Sequence, residues 1–465
     1  MIPIVTPAEM RAIDSAAPYP VEVLIERAGA ATAFAALRVL GSGYGKRVVV
    51  LAGKGNNGND GRSAARRLAA RGVRVAMIAP GDSLPSGPVP DLVIDSAFGT
   101  GFRGTWSPPR VGAVPVLAVD IPSGVDGLTG NAEPAGALEA MATVTFAALK
   151  PGLVLLPGRT LCGRVTIAQI GLDCSSARAW QVEGPDVASW VPPRPVDSHK
   201  WRHACWVVAG SPTMPGASYL CVKAAMRAGC GYVRLSSPGV ERSIGAPTES
   251  VYHPLPGAAW ADGLSADVTR FASMVIGPGL GRSEDGDAEI RRAVAASPLP
   301  LVLDGDGLSA LGEQAPVVLQ HRSAGTVLTP HDGEFERLTG HRAGLDRFAA
   351  VRDLAAACRS VVLLKGPTTV VADPQGRVGV SVSGDDRLAT AGSGDVLAGI
   401  IGALLAQGLD PWRAALAGAE LHGRAARRGP VRGLVAGDLV DLLPQVWDDI
   451  AQPCGPTDAR TLVGP

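Results

Sequence analysis

Short apolar runs that end in glycine, asparagine or aspartate alternate along this chain with longer stretches of helical spacing. Thr6-Pro7-Ala8-Glu9 reads as a helix start, with a Thr N-cap, Pro in the first turn and Glu three residues on. Helical spacing resumes over Val21 to Leu40. A strand is predicted at Arg47–Leu51, then a Gly/Asn loop, then a helix over Arg62–Arg71. Arg74–Ile78, Leu92–Asp95 and Val116–Asp120 are three further strands. Such alternation predicts a mostly parallel sheet covered on both faces, with ligands beyond the carboxyl ends of its strands. Asn57, Asp95 and Asp120 all fall at such ends, so one rim gathers them.

The pattern breaks at Val191–Asp197, where three prolines in four residues can continue neither a helix nor a central strand. This stretch is taken as the boundary between domains of 1–196 and 197–465. Beyond it the alternation restarts. Strands are expected at Cys205–Ala209, Tyr232–Ser236, Met274–Ile276, Leu301–Asp304, Thr326–Leu328 and Val361–Lys365, and a helix at Ala217–Ala228. Arg377–Val382 resembles a hairpin strand after the turn Asp373-Pro374-Gln375-Gly376. One long helical region is expected from Asp395 to Arg428, and a loose tail after Pro453. The halves do not look like duplicates. Together these features give an α/β chain of two domains, the first a Rossmann-like parallel sheet.

Size agrees, since 465 residues exceed one ordinary core. Basic and acidic residues number 43 each, so charge favours neither a nucleic acid nor a membrane surface as partner. Most basic residues are Arg, and the few Lys stand out individually. The seven cysteines form no CxxC pair, which argues against a zinc site or disulfide framework and fits a reducing cytoplasm. The first residues do not resemble a signal peptide, and no apolar stretch reaches the roughly 18 residues of a membrane span. A homo-oligomer is expected.

Two segments of different kinds look built for anions. Gly53-Lys54-Gly55-Asn56-Asn57-Gly58-Asn59-Asp60-Gly61 follows a strand, and Ala391-Gly392-Ser393-Gly394-Asp395 precedes an apolar helical run. Glycine turns at a helix start aim free N–H groups and the positive helix end at a ligand. Two such segments suggest two active sites on one polypeptide. Asp95 to Gly104, with Thr100 and Arg103, is a second turn-rich element, and alone serves equally well as a structural loop. Asp120-Ile121-Pro122-Ser123-Gly124 offers either a turn cap or a general acid/base. With Asn57 and Asp95 it also offers the hard oxygens that a cation takes. Asp395 is either a base towards a substrate hydroxyl or a carboxylate favouring a helix dipole. Lys365-Gly366-Pro367-Thr368-Thr369, Thr329 to Glu334 and Gly277 to Gly281 are further turns after strands. Asp304-Gly305-Asp306 could orient a metal-bound phosphate or only cap a turn. His331 by itself reads as a capping histidine.

In combination these segments resemble the fused bacterial NAD(P)H-hydrate repair enzymes over nearly the whole chain. Gly53 to Gly61, Asp95 to Gly101 and Asp120 to Gly124 look like the signatures of an epimerase domain. His199-Lys200, Gly210 to Gly216, Gly277 to Gly281, Thr329 to Glu334, Lys365 to Thr369 and Ala391 to Asp395 look like those of a ribokinase-like dehydratase domain. The resemblance implies epimerisation of R and S NADHX or NADPHX by the first domain. It implies nucleotide-dependent dehydration of the S form by the second, with ADP and Mg²⁺. Asn56, Asn57, Gly58, Asn59, Asp60, Gly99, Thr100, Gly101, Phe102, Arg103, Gly104 and Asp120 would bind the first substrate. Asp120 would be its acid/base, and Asn57, Asp95 and Ser123 would hold K⁺. Ala217, Gly279, His331 and Asp395 would line the hydrate site, with Asp395 the base. Lys365, Gly366, Pro367, Thr368, Thr369 and Gly394 would bind the adenine nucleotide. The hydrate hydroxyl would be phosphorylated and then eliminated.

Two positions depart from the family pattern. Asn59 replaces a second Gly, placing a side chain near the substrate, and Asp332 stands where Pro is common. Two other functions fit parts of the chain. One is a ribokinase-like kinase acting on a vitamin precursor, which the complete first domain argues against. The other is a non-enzymatic dinucleotide-binding or assembly module, which Asp120, Asn57 and Asp95 argue against.

Overall fold

The structure is a computed structural model that describes residues 1–133, 135–191, 193–241, 245–265, 267–451 and 461–463. By contacts the chain divides into two compact units. One holds Ile2–Ala179 with the chain's end, the other Trp180–Pro453.

The N-terminal unit is built on a seven-stranded sheet. Its order is Thr461–Val463, Arg164–Gln169, Ala142–Phe146, Val116–Val119, Leu92–Ser96, Arg47–Ala52 and Arg74–Ile78. Every pairing is parallel. Alternate residues of the central strands bury on opposite faces. Val48, Val50, Ile94 and Leu117 join one apolar cluster, and Val49, Leu51, Val93 and Ala118 join the other. A strand buried on both faces must be apolar throughout, which is how these runs read in sequence. Strand order reverses between Arg47–Ala52 and Leu92–Ser96, and the crevice at such a switch point is where doubly wound sheets take ligands. The helices Val21–Leu40 and Asn56–Ala69 pack closely, because Gly29 has no side chain. A Cβ there would stand 2.3 Å from Ser63 Cβ.

In the C-terminal unit the strands run in the order Ala179–Gln181, Val378–Ser381, Thr369–Ala372, Val361–Leu364, Thr326–Leu328, Leu301–Leu303, Ser273–Ile276, Ala204–Val208, Tyr232–Ser236 and Val251–Tyr252. Pairings are parallel from Val361–Leu364 to Val251–Tyr252, while Thr369–Ala372 is antiparallel to both its neighbours. The helix Ser393–Ala406 is buried along its length from Val396 and crosses Pro215–Arg227 closely. A Cβ on Gly399 would lie 2.1 Å from the Cys221 carbonyl oxygen.

Several expectations are corrected. The helix expected from Arg62 begins at Asn56, so most of the Gly/Asn segment is helix, not loop. The single helix expected over Asp395–Arg428 is two, Ser393–Ala406 and Pro411–Arg428, the second capped by the Asp410 side chain. Thr461–Val463 adds an edge strand to a tail expected to be loose; residues 452–460 lie outside the described ones. The contact division falls at Ala179, ahead of the proline-rich stretch. Val182 and Val187 join the core of the C-terminal unit, and Val182 N–H donates to Val380 O at 2.9 Å. Among the described residues no helix is long and apolar enough to cross a membrane.

Candidate functional sites

Several helices begin under side-chain caps, from Thr6, Ser283, His331, Asp346 and Asp410, while others, such as Val21–Leu40 and Pro215–Arg227, begin without one. The helices at Asn56 and Ser393 begin from Gly55 and Gly392 with no side-chain cap, which leaves first-turn N–H groups for a ligand.

In the N-terminal unit, Gly53 and Gly58 bring three turns together. A Cβ on Gly53 would lie 1.9 Å from the Ala97 carbonyl oxygen, and one on Gly58 equally close to that of Gly53. Asp95 is fully buried. Its Oδ1 accepts from the Ser123 hydroxyl at 2.6 Å and its Oδ2 from the Ser123 N–H at 2.8 Å. Burial raises its carboxyl above the usual range, against these hydrogen bonds. Ser123 Oγ also accepts from Phe98 N–H, and its carbonyl accepts from the Trp106 indole, so it ties the glycine loop to the strand end. Both polar atoms of the Asn57 amide are buried without a hydrogen-bond partner among the described residues. A Cβ on Gly99 would stand 3.5 Å from Asn57 Cγ and 3.4 Å from Asp120 Oδ2, so Gly99 keeps a gap open between them.

Asp120 ends its strand with φ of 67°, a left-handed conformation that Asp tolerates better than most residues. Lys150 Nζ donates to its Oδ1 at 2.6 Å. Asp60 is buried nearby. Burial, then the charges of Asp120 and Asp14, push its carboxyl up to about 8. Asn59 has ordinary helical backbone, and its Oδ1 accepts from Arg62 at 3.1 Å; no left-handed turn is asked of it. Phe102 packs against Phe98 with the rings tilted and 4.3 Å between centroids, while Arg103 is exposed and 3.6 Å from Asp126. Thr100 lies against Gly127, and Gly101 and Gly104 are exposed at the loop tip.

In the C-terminal unit a chain of charges runs through the strand ends. Lys365 Nζ lies 2.8 Å from Asp304 Oδ1 and 3.4 Å from Glu334 Oε2. Thr329 Oγ1 donates to the same Asp304 oxygen at 2.8 Å. Burial opposes the charged ammonium, yet the Asp304 and Glu334 carboxylates outweigh it and raise the Lys365 pKa. Gly394 sits over this pair, its absent Cβ 3.5 Å from both Asp304 Oδ2 and Lys365 Nζ. Asp395, the next residue, is pushed up to about 7, first by burial and then by Asp304. His331 caps the helix Asp332–Thr339, accepting at Nδ1 from Gly333 and Glu334, while Glu334 accepts from the His331 N–H at 2.8 Å. Asp332 pairs with Arg347 at 2.8 Å. Gly279 has φ of 63°, and its Cβ would stand 2.6 Å from Ala217 Cβ, so these two residues are neighbours. Gly366 lies beside Arg347, Pro367 is exposed, Thr368 is buried and Thr369 opens the next strand.

Sequence reasoning missed three residues. Lys150 follows a strand that had gone unread, although it is one of only six lysines. Trp106 carries no sequence signal for its contact with Ser123. His422 is buried, and burial lowers it to about 4 despite a hydrogen bond with Ser393 backbone. It is a neutral group at the start of the Asp395 helix.

A family profile described as NAD(P)H-hydrate dehydratase matches residues 205–445, and one described as YjeF-related protein N-terminus matches 21–87 and 78–152. The bifunctional NAD(P)H-hydrate repair enzyme Nnr of Mycobacterium tuberculosis (strain ATCC 25618 / H37Rv) is 40% identical over 402 residues, covering 81% of this chain and 82% of that protein. Its namesake from Salinibacter ruber is 35% identical and covers 96% of each. A crystal structure of the ADP/ATP-dependent NAD(P)H-hydrate dehydratase from Bacillus subtilis, co-crystallized with ATP/Mg²⁺, is 30% identical with a TM-score of 0.52. It covers 58% of this chain and 97% of the other. A ribokinase-like superfamily protein from Enterococcus faecalis, 22% identical with a TM-score of 0.52, shares the fold over 59% of this chain. The two profiles fall on the two halves that carry Asp120 and Asp395, and the relatives span both, so the chain belongs to the family of bifunctional NAD(P)H-hydrate repair enzymes.

Proposed function

We propose that the N-terminal site interconverts the R and S epimers of hydrated NADH and NADPH with Asp120 as acid/base. The C-terminal site then dehydrates the S epimer with Asp395 as base and ADP as phosphoryl donor. One observation carries this division. Each unit sets an aspartate beside a glycine and a lysine–carboxylate pair: Asp120 with Gly99, where Lys150 pairs with Asp120 itself, and Asp395 with Gly394, where Lys365 pairs with the neighbouring Asp304.

Potassium fits the first site. The buried Asn57 amide oxygen lacks a partner, and the Asp95 carboxylate and Ser123 hydroxyl add hard oxygens. These three residues would hold the ion, which supplies fixed positive charge for an anionic substrate. The uncapped turn Asn56–Asp60 and the loop Gly99–Gly104 then hold the substrate, and Asp120 handles the proton at the rim.

At the second site Lys365–Thr369 and Gly394 would hold the nucleotide, and Ala217, Gly279 and His331 the hydrate. Among the described residues no three His, Cys, Asp or Glu side chains are grouped to hold a metal ion. Mg²⁺ therefore fits as an ion carried on the nucleotide phosphates, whose charge it would neutralise. A carboxyl pushed up to about 7 is a base matched to neutral pH. Asp395 takes the proton of the hydrate hydroxyl as that oxygen receives phosphate, and phosphate is a far better leaving group than hydroxide.

The test is recovery of reduced-nicotinamide absorbance from pure R and pure S epimers, with and without ADP. Asp120→Ala should abolish repair of R and leave ADP-dependent repair of S intact. Repair of R by Asp120→Ala at the parent rate would remove Asp120 from the mechanism.

A further inference from the structure

The two oxygens of the Asp120 carboxylate have unlike surroundings. Oδ1 accepts from Lys150 Nζ at 2.6 Å and from the Thr145 hydroxyl at 3.2 Å. Oδ2 faces Gly99 and accepts no hydrogen bond among the described residues. Lys150 is only 1% exposed, and its ammonium has three partners. Besides Asp120 it donates to Thr145 Oγ1 at 2.7 Å and Phe146 O at 3.1 Å. Thr145 belongs to the strand Ala142–Phe146, next to the strand Val116–Val119 that leads into Asp120, so the clamp is built from neighbouring strands of the sheet.

A buried ammonium is a costly way to fill space. Desolvation of the ammonium costs about as much as a good ion pair returns, and Met would fill the same volume without it. The left-handed backbone at Asp120 adds a smaller cost, one that Asp meets more cheaply than most residues. Both costs fall on one carboxylate, and their joint effect is to fix which oxygen faces the rim.

We propose that Lys150, with Thr145 as its relay, is a positioning residue of the epimerase site: the pair clamps Oδ1 of Asp120 and so presents Oδ2 to the substrate beneath the Gly99 loop. The clamp is needed because proton transfer requires hydrogen-bond reach, and a misplacement of 1 Å costs about 10²-fold in rate. A freely turning carboxylate beside Lys150 would spend its charge on the ammonium with either oxygen. The hydroxyl of Thr145 lies against the same oxygen as Nζ and so removes that freedom. This inference rests on Asp120 being the acid/base.

The experiment uses the full-length protein, pure R epimer, and a separate dehydratase in excess, so that epimerisation limits recovery of reduced nucleotide. ADP-dependent dehydration of S by each variant, together with circular dichroism, reports folding. Thr145→Val should lower kcat for epimerisation about tenfold with little change in KM, and Thr145→Ser, which keeps the hydroxyl, should restore most of it. Lys150→Met should lower kcat about 10²-fold. If Lys150→Met does not fold, the two Thr145 variants decide. Equal rates for Thr145→Val and Thr145→Ser, or losses confined to KM, overturn the clamp. Asp120→Asn separates the two levels. If it is inactive while Thr145→Val and Lys150→Met keep the parent kcat, only the clamp fails. If it keeps the parent rate, the assignment of Asp120 itself fails.

Discussion

Lys365 Nζ lies 2.8 Å from Asp304 Oδ1, and the pair is roofed by Gly394, the residue before the proposed base. The side chain of Asp304 is 4% exposed, and the ammonium is its buried counter-ion. Lys365→Met should therefore destabilise the C-terminal unit by about 3–5 kcal/mol, because it leaves Asp304 and Glu334 buried without a counter-ion. Adding Asp304→Asn should return part of that loss. Urea unfolding of the two single variants and the double variant measures the coupling, and strict additivity would show that the pair contributes nothing.

Asp395→Asn should remove the base and spare the nucleotide site. Dehydration of purified S epimer should fall by about 10²-fold or more, with ADP binding retained in calorimetry. In the parent enzyme, kcat/KM for S should decline as pH falls through about 7, where the carboxyl takes up its proton. A profile flat down to pH 5 would mean that another group is the base.

Two raised carboxyls also set a pH dependence of stability. Asp60 and Asp395 bind their protons more tightly folded, at about 8 and about 7, than at the 3.8 usual for an aspartate. Their contribution to stability is fully present below 3.8 and is lost as pH rises through those folded values. At high pH each is a buried charge that the unfolded chain would rather expose. Asp60→Asn and Asp395→Asn should thus raise the melting temperature at pH 9, and the gain should shrink towards pH 4. Melting curves across that range check it; a gain that grows on acidification would reverse the sign.

A fragment that keeps the strand Ala179–Gln181 and helix Gly184–Trp190 should dehydrate S and leave R behind. One starting at Asp197 loses Val182 and Val187 from the core, and the Val182–Val380 hydrogen bond with them. It should be less stable by several kcal/mol, on the scale of two buried aliphatic side chains. Comparing the denaturant midpoints of the two fragments tests this, and equal midpoints would favour the proline-rich stretch as the boundary.

Elements bounded by proline or glycine were legible to the residue, as with Val21–Leu40, Arg74–Ile78 and Tyr232–Ser236. The strand Ala142–Phe146 was not, because Thr143 and Thr145 make it look polar. Both hydroxyls are spent inside the sheet, Thr143 on Cys162 O at 2.7 Å and Thr145 on Asp120. Lys150 went unread with it. The helix start at Asn56 was hidden because Gly58 and Gly61 weaken local helix propensity. They are glycines for tertiary reasons, since a Cβ on Gly61 would lie 2.0 Å from Ser96 Oγ. The strand-end aspartates were legible because turn chemistry marks them, whereas their lysine partners are joined to them only through the fold.

The positive φ at Asp120 restricts what substitution can do at this position. Of the residues that accept a left-handed backbone cheaply, only Asp, Asn and Gly are small and polar enough for the slot beside Gly99. Glutamate, the obvious replacement for a proton-handling carboxylate, would meet both the backbone penalty and the gap. A directed-evolution library at codon 120 therefore has a usable alphabet of about three letters, of which one keeps a carboxylate. New chemistry at this rim would have to come from the Gly99 loop.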